Sequence, residues 1–423
     1  MYYFRPLTSL KLTAMDERSA GKLATKRAQG AMRRRLLKSL GITVFAFLIS
    51  LVMVSPLSFS MMSLFAMPEA NDFTISDFYH QVANRRDVRT LEPRIVIADI
   101  GSADRVGIAS AIEDIVNAGA EAVGVDITFL EPRDPEEDAW LIETLRSAPR
   151  LVMASTVSEQ PDGTFKSGER SFFIDRLAGA AEGAVNFPTK TERGTIREFR
   201  TWYDTIPSFA VAMAGKIDPG SVAELRKRGL ASEVIDYPSR EFTVIPIDEL
   251  GERTSELKDK IVLIGAAGEL DDVHVTPIEA RMPGIRIHAY ALSQILGHRY
   301  YLRTGKAFDW TVAFLLCFGL IFMSLSIKPT VKGLITRLLQ FLLVYVAMQA
   351  GYALFVDRQI VVNFSYILLM LAFGLIATDI WNGLTVILNR LSAYLDKKRH
   401  KTYAKAEPAP AGDTTEPPTA NPT

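Results

Sequence analysis

The sequence predicts an α/β domain, with a largely parallel sheet and covering helices, joined to four transmembrane helices. Residues 67–306 alternate short apolar runs with stretches of helical spacing, which is typical of parallel strands covered on both faces. Four other runs are apolar for about 20 residues, the length that a helix needs to cross a hydrocarbon core of ~30 Å. The fold class therefore combines a large polar domain with a membrane-embedded part.

The composition excludes several classes of protein. The chain has 423 residues, of which 48% are hydrophobic, so it can bury a core. It contains one cysteine, which excludes a disulfide framework and a cysteine-rich zinc site. Lys+Arg and Asp+Glu both number 48, and this balance argues against a nucleic-acid binder.

The first membrane segment is the uncharged stretch at residues 41–66. Its length suits a transmembrane helix, and Pro56 predicts a kink. A secretory signal peptide is the alternative, but about forty residues precede the stretch and no clean small-x-small cleavage site follows it. We therefore predict an uncleaved anchor.

Three further spans are predicted near the C-terminus, at residues 308–327, 338–356 and 360–381. They show no amphipathic stripe, and a helix that is apolar all round belongs in a membrane or in a very large core. Asp309 and Asp379 lie near the margins of these spans, where water lowers the cost of a charge. We interpret both as boundary residues, with an ion pathway as the alternative.

The distribution of charge predicts the orientation of the chain. Net charges are +8 for residues 1–39, −11 for residues 67–306 and +3 for residues 307–423. Cytoplasmic segments of membrane proteins carry an excess of Lys and Arg. We therefore expect both termini, including the basic segment 1–40, in the cytoplasm, and residues 67–306 on the opposite side of the membrane.

A basic amphipathic helix is predicted at residues 384–401, as a continuation of the fourth span. It could be a clamp against the anionic lipid bilayer or a docking helix for a partner, and the two roles are compatible. A disordered tail is predicted at residues 402–423, because residues 408–423 are rich in Pro, Ala and Thr.

Apolar runs and capping signals predict the elements of the exported domain. Strands are expected at residues 94–99, 121–126, 150–155, 183–187, 195–199, 242–245 and 260–265. Helices are expected at residues 106–117, 135–147, 208–214 and 284–296. The second of these helices has the clearest start, because Asp134 can cap it and Pro135 suits its first position.

The ends of these strands hold the first candidate ligand-binding residues. Ligands of open α/β sheets usually sit outside the carboxyl ends of the strands, where Asp99, Asp126 and Gly265 are expected. The turn from Gly265 to Gly268 lacks the Gly-Lys-Ser/Thr of a phosphate loop. We therefore interpret that turn as a close passage of the chain and not as a nucleotide site.

Asp271, Asp272, His274 and Thr276 form a second group of candidates. Together with Asp99 and Asp126 they could build an oxygen-rich metal site or contact a ligand. The preferred alternative is structural: Asp272 and His274 would hold their own turn through hydrogen bonds to the loop backbone.

His288, inside the last predicted helix of the domain, is a further candidate, although a packing role is preferred. A modest shift in the pKa of such histidines would allow them to report external pH. Ser155 and Ser208 lack the Gly-x-Ser-x-Gly context of a catalytic nucleophile. We therefore predict neither enzymatic activity nor a cofactor.

Several segments also carry a family signature. The most specific are the Asp-x-x-Phe-x-x-Pro run from Asp126 to Pro132 and the Asp-x-His-x-Thr-Pro run from Asp272 to Pro277. The signature is completed by Gly284, His288 and Ala289. These segments resemble the type-2 CHASE (cyclase/histidine-kinase-associated sensing extracellular) sensor domain. The resemblance extends over residues 41–381 and implies an N-terminal anchor, an exported sensor domain and three consecutive spans.

Two segments depart from the family pattern. The Trp-Pro-Arg segment that often precedes the first helix has no Trp or Pro counterpart within residues 101–110. The usual Asp-Gly before a basic strand is replaced by Arg193-Gly194, although Arg197 remains. Ligand specificity is therefore not carried over from the family.

The resemblance implies a bacterial inner-membrane sensor with a periplasmic domain for an extracytoplasmic small molecule or envelope ligand. Family members usually continue into a cyclase, histidine kinase or protein kinase, whereas about forty residues follow the last span here. We therefore expect a cyclase or kinase partner in trans, or self-association as a homo-oligomer. The alternatives are a non-signalling envelope scaffold or assembly factor, and a transporter accessory.

Overall fold

The computed structural model describes residues 8–53, 75–86, 90–188, 194–237, 240–268 and 272–406. Its α-helices are α1 (Thr8–Met53), α2 (Ile75–Arg86), α3 (Arg105–Asn117), α4 (Pro135–Ser147), α5 (Phe209–Ile217), α6 (Pro219–Arg228), α7 (Gly284–Leu296), α8 (Lys306–Ser326), α9 (Pro329–Arg358) and α10 (Phe364–Ala406). Its strands are β1 (Thr90–Asp99), β2 (Ala122–Val125), β3 (Val152–Glu159), β4 (Phe165–Arg170), β5 (Ala181–Ala184), β6 (Glu198–Arg200), β7 (Trp202–Tyr203), β8 (Ile206–Pro207), β9 (Ser232–Val234), β10 (Arg240–Pro246), β11 (Ile261–Gly265), β12 (Val273–His274), β13 (Met282–Pro283), β14 (Leu302–Arg303) and β15 (Ile360–Val361).

A seven-stranded sheet forms the centre of the α/β domain. Its order is β10-β1-β11-β2-β3, and both β5 and β4 pair with β3. Every pair is parallel except β3 with β4. The stretch from Ile95 to Ala98 in β1 and all of β11 are buried, as expected of parallel strands that lie between two helical layers. The predicted largely parallel sheet is therefore confirmed.

Alternate side chains of each strand enter two separate cores. Val96 and Ala98 of β1 pack in a core with residues of α3 and α4. Ile95 and Ile97 point to the opposite face and pack in a core with residues of α5 and α7. This arrangement follows from the period of two in a strand, and it explains why the buried stretch 95–98 of β1 is apolar at every position.

The start of α4 agrees with its sequence signals. Asp134 Oδ1 accepts hydrogen bonds from the backbone N–H groups of Glu136 (2.9 Å) and Glu137 (3.1 Å). Pro135 occupies the first helical position, where its missing N–H costs nothing. Local chemistry thus fixes where the helix begins, and with it the end of the preceding loop.

The structure differs from the sequence prediction on the β3 side of the sheet. The strand predicted at residues 183–187 forms as β5, which ends at Ala184, and the one predicted at 195–199 is the short β6. β6 pairs antiparallel with β9, outside the main sheet. β4 was not expected, because its polar and mostly exposed sequence is typical of a loop.

The chain divides into two units. Residues 1–60, 307–346 and 365–423, as far as they are described, form a helical unit. Residues 61–306 and 347–364 form an α/β unit. Within the described residues, four helices are long and apolar enough to cross a membrane, and they are Thr25–Val52, Lys306–Ser326, Thr330–Arg358 and Phe364–Lys398. The prediction of four apolar helices is therefore confirmed.

The starts of α9 and α10 differ from the starts of the predicted third and fourth spans. α9 begins at Pro329, nine residues before the predicted start at 338. Ile360 and Val361, predicted as the start of the fourth span, form β15 and pair in parallel with Leu302 and Arg303 of β14. Both residues are apolar, as residues of a span are, but here they belong to a strand pair.

α10 begins at Phe364 and runs without interruption through the predicted basic segment 384–401. Residues 402–406, predicted as part of a disordered tail, are helical. Residues 54–66, with the predicted kink at Pro56, and residues 407–423 lie outside the described part of the chain.

We predict that Gly183→Ala destabilises the α/β unit, since a Cβ there would lie 2.5 Å from the backbone Cα of Phe209. Overpacking of this kind costs about 1–3 kcal/mol in the free energy of unfolding. The measurement is hydrogen exchange of the β1, β3 and β11 amides in the full chain. The control is Gly305→Ala, where a Cβ would meet no described atom within 4 Å. Equal protection in both variants would contradict the prediction.

Candidate functional site

Three of the predicted site residues lie side by side at the carboxyl edge of the sheet. Asp99 of β1 is in register with Gly265 of β11. Asp126 follows β2, and its N–H donates to the Ile264 carbonyl of β11 (2.8 Å). The carboxyl ends of neighbouring parallel strands therefore converge as the sequence predicts.

The Asp99 carboxylate accepts hydrogen bonds from two turns at this edge of the sheet. Its Oδ1 accepts from the Gly101 N–H (3.2 Å) and from the Ala267 N–H (2.8 Å), which follows β11. Gly101 has φ +50°, a backbone conformation that glycine adopts without strain. Asp99 therefore joins the turns after β1 and β11, which is a structural role.

Gly265 allows a close passage of the chain. A Cβ at this position would lie 2.7 Å from Ile285 Cδ1 of α7 and 3.2 Å from Asp126 Cβ. The strand can therefore pack against both the loop after β2 and the start of α7 only because the side chain is absent. The interpretation of this turn as a close approach agrees with these distances.

Asp272 and His274 form a short antiparallel turn with the start of α7. His274 pairs with Met282, and the Gly284 N–H donates to the Asp272 carbonyl (2.8 Å). His274 Nε2 lies 3.0 Å from Asp272 Oδ1. A Cβ on residue 284 would overlap the Asp272 carboxylate, so this position requires glycine. Asp272, His274 and Gly284 of the family signature therefore hold one another in position through these contacts.

Thr276 stabilises the next turn with both its backbone N–H and its hydroxyl. Its N–H and its hydroxyl both donate to the Glu279 carbonyl, at 2.8 and 2.9 Å. The Glu279 N–H in turn donates to Thr276 Oγ1 (3.1 Å). The Thr276 hydroxyl therefore forms its hydrogen bonds within its own turn, and a ligand contact of Thr276 stays a prediction.

His288 lies in α7 within an aromatic pocket. Its ring stacks on Phe187 at 4.6 Å between centroids, and Phe209 lies at 5.3 Å. Phe187 also meets His274 edge to face at 4.9 Å. Burial lowers the pKa of His288 to about 4, although Asp272 acts in the opposite direction. The residue is therefore a neutral packing histidine at neutral pH.

The four residues Asp126, Asp272, His274 and His288 form an acid–histidine cluster. Burial raises the pKa of Asp126 to about 7; the negative charge of Asp272 adds to the increase and His274 opposes it. The hydrogen bond from His274 lowers the pKa of Asp272. The two carboxyl groups are therefore pushed apart in pKa, so that Asp126 changes protonation near neutral pH.

The described residues contain no group of three or more His, Cys, Asp or Glu side chains arranged to hold a metal ion. Residues 269–271, which precede Asp272, lie outside the described part of the chain. Asp99 and Thr276, proposed as members of a metal site, instead hydrogen-bond to backbone. The metal hypothesis stays a prediction without support from this geometry.

A cavity of about 470 Å³ opens at the same edge of the sheet, on the face covered by α3 and α4. It lies between the start of α3 and the loop at residues 127–133, which belongs to the Asp-x-x-Phe-x-x-Pro run. Its lining is partly apolar, with Ile108 and Ile127, and partly polar, with Thr128 and Arg133. Its volume and position suit a small organic ligand.

Arg105 and Asp138 hold the cavity wall in place. Arg105 is 6% exposed and forms an ion pair with Asp138. Its guanidinium also donates to the Glu131 carbonyl, and Asp138 Oδ2 accepts from the Arg133 N–H (2.8 Å). The loop is therefore tied down at two positions, and Arg105 acts as a positioning residue.

Phe129 fixes the middle of the same loop. It is buried, its N–H donates to Ser171 Oγ (3.2 Å), and its carbonyl accepts from the Phe172 N–H (2.8 Å). The guanidinium carbon of Arg105 lies 5.7 Å from the ring centroids of both Phe129 and Phe172. The signature phenylalanine is therefore an anchor of the wall.

The sequence prediction missed Arg105 and Asp138. One local signal points to Arg105: a cation in the first turn of a helix opposes the helix dipole, so it indicates a specific partner. No comparable signal identifies Asp138, because acids are ordinary in the first turn of a helix such as α4.

An α/β domain with a cavity at the carboxyl edge of its sheet, on a chain with four apolar helices, fits the class of membrane-anchored sensors. The family model of the CHASE2 domain matches residues 57–326, and the chain belongs to this family. The family makes the α/β domain a sensory extracellular domain. No curated protein and no solved structure matches the chain.

We predict that Asp126→Asn stabilises the α/β unit at pH 8. Between pH 3.8 and about 7 the folded state keeps a proton that the unfolded state has lost, so wild-type stability falls as pH rises. Asn removes this cost, and the gain should reach about 1–3 kcal/mol above pH 7 and disappear near pH 4. Hydrogen exchange of the full chain at both pH values measures it.

The control for this prediction is Asp162→Asn. Asp162 is an exposed carboxyl whose pKa is lowered by hydrogen bonds from Thr164. Its replacement should give no gain at pH 8. A gain of equal size in both variants would show that loss of charge, and not relief of a buried carboxyl, is responsible.

Proposed function

We propose that this protein is a multi-pass sensor of the bacterial inner membrane. Residues 67–306 would lie in the periplasm and both termini in the cytoplasm, and the spans would pass the signal to a separate partner such as a cyclase or kinase. The observation that carries the proposal is the cavity of about 470 Å³ against the signature loop 127–133. The net charge of −11 on residues 67–306, against +8 and +3 on the flanking segments, supports the orientation.

The ligand of this cavity would be a small amphipathic molecule. The wall offers Ile100, Ile108 and Ile127 to an apolar part and the backbone of the loop to a polar part. The Arg105 guanidinium already has the Asp138 carboxylate as its partner, so it does not supply a free positive charge. Arg133 also lines the cavity, so a ligand with an apolar body and one small polar or anionic end would match this lining.

The end of the α/β domain is hydrogen-bonded to the turn between the third and fourth predicted spans. The Leu302 N–H donates to the Gln359 carbonyl (2.7 Å), and the Thr304 N–H donates to the Val361 carbonyl (3.0 Å). The Thr304 hydroxyl donates to the same Val361 oxygen (3.1 Å). These bonds support a direct mechanical link between the domain and α9 and α10.

The start of the α/β domain is linked to the same turn by aromatic packing. Tyr79 of α2 meets Phe355 at 5.7 Å and Phe364 at 6.0 Å between ring centroids. Its hydroxyl donates to the Met348 carbonyl (3.3 Å). A Cβ on Gly351 would overlap the Phe364 ring, so the packing depends on that glycine.

Two further contacts connect α2 to the body of the domain. Arg197 donates from Nε and Nη2 to both carboxylate oxygens of Asp77, each at 2.7 Å. The buried ring of His80 lies 4.8 Å from Phe355 and 5.9 Å from Tyr237. Burial lowers the pKa of His80 to about 4, which keeps the ring neutral. A change of domain shape would therefore reach the turn at 357–359 from two sides.

Ligand binding would act by favouring one of two arrangements of this assembly. A ligand shifts such an equilibrium only by the difference between its affinities for the two states. The cavity wall and the β14–β15 pair are the two elements on which that difference would depend. A scaffold that holds an envelope component without signalling is the alternative, and it requires no such difference.

Filling the cavity tests ligand recognition. Leu130→Trp adds bulk at a wall residue that is already exposed, whereas Leu91→Trp adds the same bulk in β1 away from the cavity. Free amino acids, short carboxylic acids and nucleosides would be screened by thermal shift against the full chain in nanodiscs. A compound that stabilises wild type and Leu91→Trp but not Leu130→Trp is expected. A panel without effect on wild type would favour the scaffold.

Breaking the β14–β15 pair tests transmission. Leu302→Pro removes the N–H that donates to Gln359, and Leu302→Ala is the matched control because it keeps that N–H. With a compound from the screen, deuterium uptake at residues 329–337 of α9 should change in wild type and in the control. Leu302→Pro should bind the compound and show no such change. An unaltered response in Leu302→Pro would exclude this route.

A further inference from the structure

A second cavity, of about 270 Å³, lies within the helical unit. Its polar lining comes from the last turn of α8, the first turns of α9 and the middle of α10. The residues that matter here are Ser324, Lys332, Thr336, Arg337, Thr378 and Asp379. Nothing in the proposed sensing mechanism uses them.

The hydroxyl groups of this cavity are buried among the helices. Ser324, Thr336 and Thr378 are each 5% exposed or less. The Thr336 hydroxyl donates to Ser324 Oγ (3.3 Å), and the Thr378 hydroxyl donates to the Gly374 carbonyl (2.9 Å). These bonds fix the inner end of the cavity and position its polar floor.

The charged groups at the cavity mouth are not paired with one another. Lys332 and Arg337 line it together with Asp379, yet none of the three has an ion pair within 4 Å among the described residues. Arg337 donates to Gln340 Oε1 (3.2 Å), a neutral group. The mouth therefore presents two separate cations and one separate carboxylate.

The position of the cavity along the helices places it at a membrane surface. Ser324 lies two residues before the end of α8, and Lys332 lies three residues after the start of α9. Asp379 lies two residues before the end of the predicted fourth span at residue 381. In a bilayer this level corresponds to the headgroups, where phosphate groups are found.

We propose that this cavity binds the headgroup of phosphatidylethanolamine. Lys332 and Arg337 would bind the phosphate, because basic pockets between transmembrane helices suit phosphate headgroups. Asp379 would accept hydrogen bonds from the ammonium group. A lining with two cations and one carboxylate matches a headgroup that carries both signs, whereas Asp379 would repel a purely anionic one.

This proposal rests on the spanning of a bilayer by α8, α9 and α10. The full chain would first be tested for its presence in the membrane fraction, and recovery in the soluble fraction would contradict the spanning itself. A membrane-bound chain without lipid preference would contradict the headgroup site alone. The two failures are therefore distinguishable.

The test is native mass spectrometry of the detergent-solubilised full chain with added phosphatidylethanolamine, phosphatidylglycerol or inorganic phosphate. Wild type should retain phosphatidylethanolamine in preference to phosphatidylglycerol. The double variant Lys332→Gln/Arg337→Gln should bind it about 25-fold more weakly, since each cation contributes about fivefold. The matched control is Lys328→Gln, which removes a cation that lies between α8 and α9 and does not line the cavity. Competition by inorganic phosphate would identify a soluble anion site and overturn the lipid proposal.

Asp379→Asn gives a second readout that loss of folding cannot imitate. Removal of the carboxylate should raise binding of phosphatidylglycerol and reduce the preference for phosphatidylethanolamine. An unchanged preference in Asp379→Asn, or equal lipid retention in wild type and the double variant, would overturn the proposal.

Discussion

The apolar stretch 95–98 of β1, together with β11 and β2, is buried on both faces, and the rest of the α/β unit depends on this constraint. An ionisable side chain within these stretches would lose its hydration without gaining a partner. Polar groups therefore lie beyond their ends, and Asp99, Asp126 and Gly265 stand at the carboxyl ends. The same constraint joins distant parts of the chain, as in the bond between Asp99 and Ala267, which are 168 positions apart.

The buried Arg105–Asp138 pair holds the loop that forms the wall of the sensing cavity against the starts of α3 and α4. Burial of two charges is costly, and the pair is stable because further hydrogen bonds satisfy both partners, from Arg105 to the Glu131 carbonyl and from the Arg133 N–H to Asp138. Loss of one partner would leave an uncompensated charge, at a cost of about 3–5 kcal/mol. A wall held in this way is preorganised, which reduces the entropy that a ligand must overcome.

The sequence predicted the parts of the fold that depend on local patterns and missed those that depend on distant contacts. Strand ends and the Asp134 cap carry their signals within a few residues, so both could be predicted. Arg105 and Asp138 are 33 positions apart, in the first turns of two helices, so the local signal at Arg105 could not identify its partner. The apolar β15 was assigned to the fourth span, because apolar composition does not distinguish a strand partner from lipid.

Residue type also failed to separate ligand-binding oxygens from structural ones. Asp99 and Thr276 have the chemistry of metal ligands, but their oxygens accept from or donate to backbone groups of their own turns. Asp126 is different because burial raises its pKa to about 7, and this depends on Asp272 from another part of the chain. The property that makes Asp126 responsive is therefore one that arises only when the strand ends converge.

In the proposed sensor, the connections at β14 determine how a domain movement reaches the spans. Gly305 alone separates Thr304 from the start of α8, so a displacement of β14 acts on α8 through the chain. The same displacement acts on α9 and α10 through the bonds to Gln359 and Val361. Because these bonds join backbone groups, transmission would depend on strand pairing more than on side-chain identity. Three spans would then respond to a single movement, which a sensor with only one anchored end could not achieve.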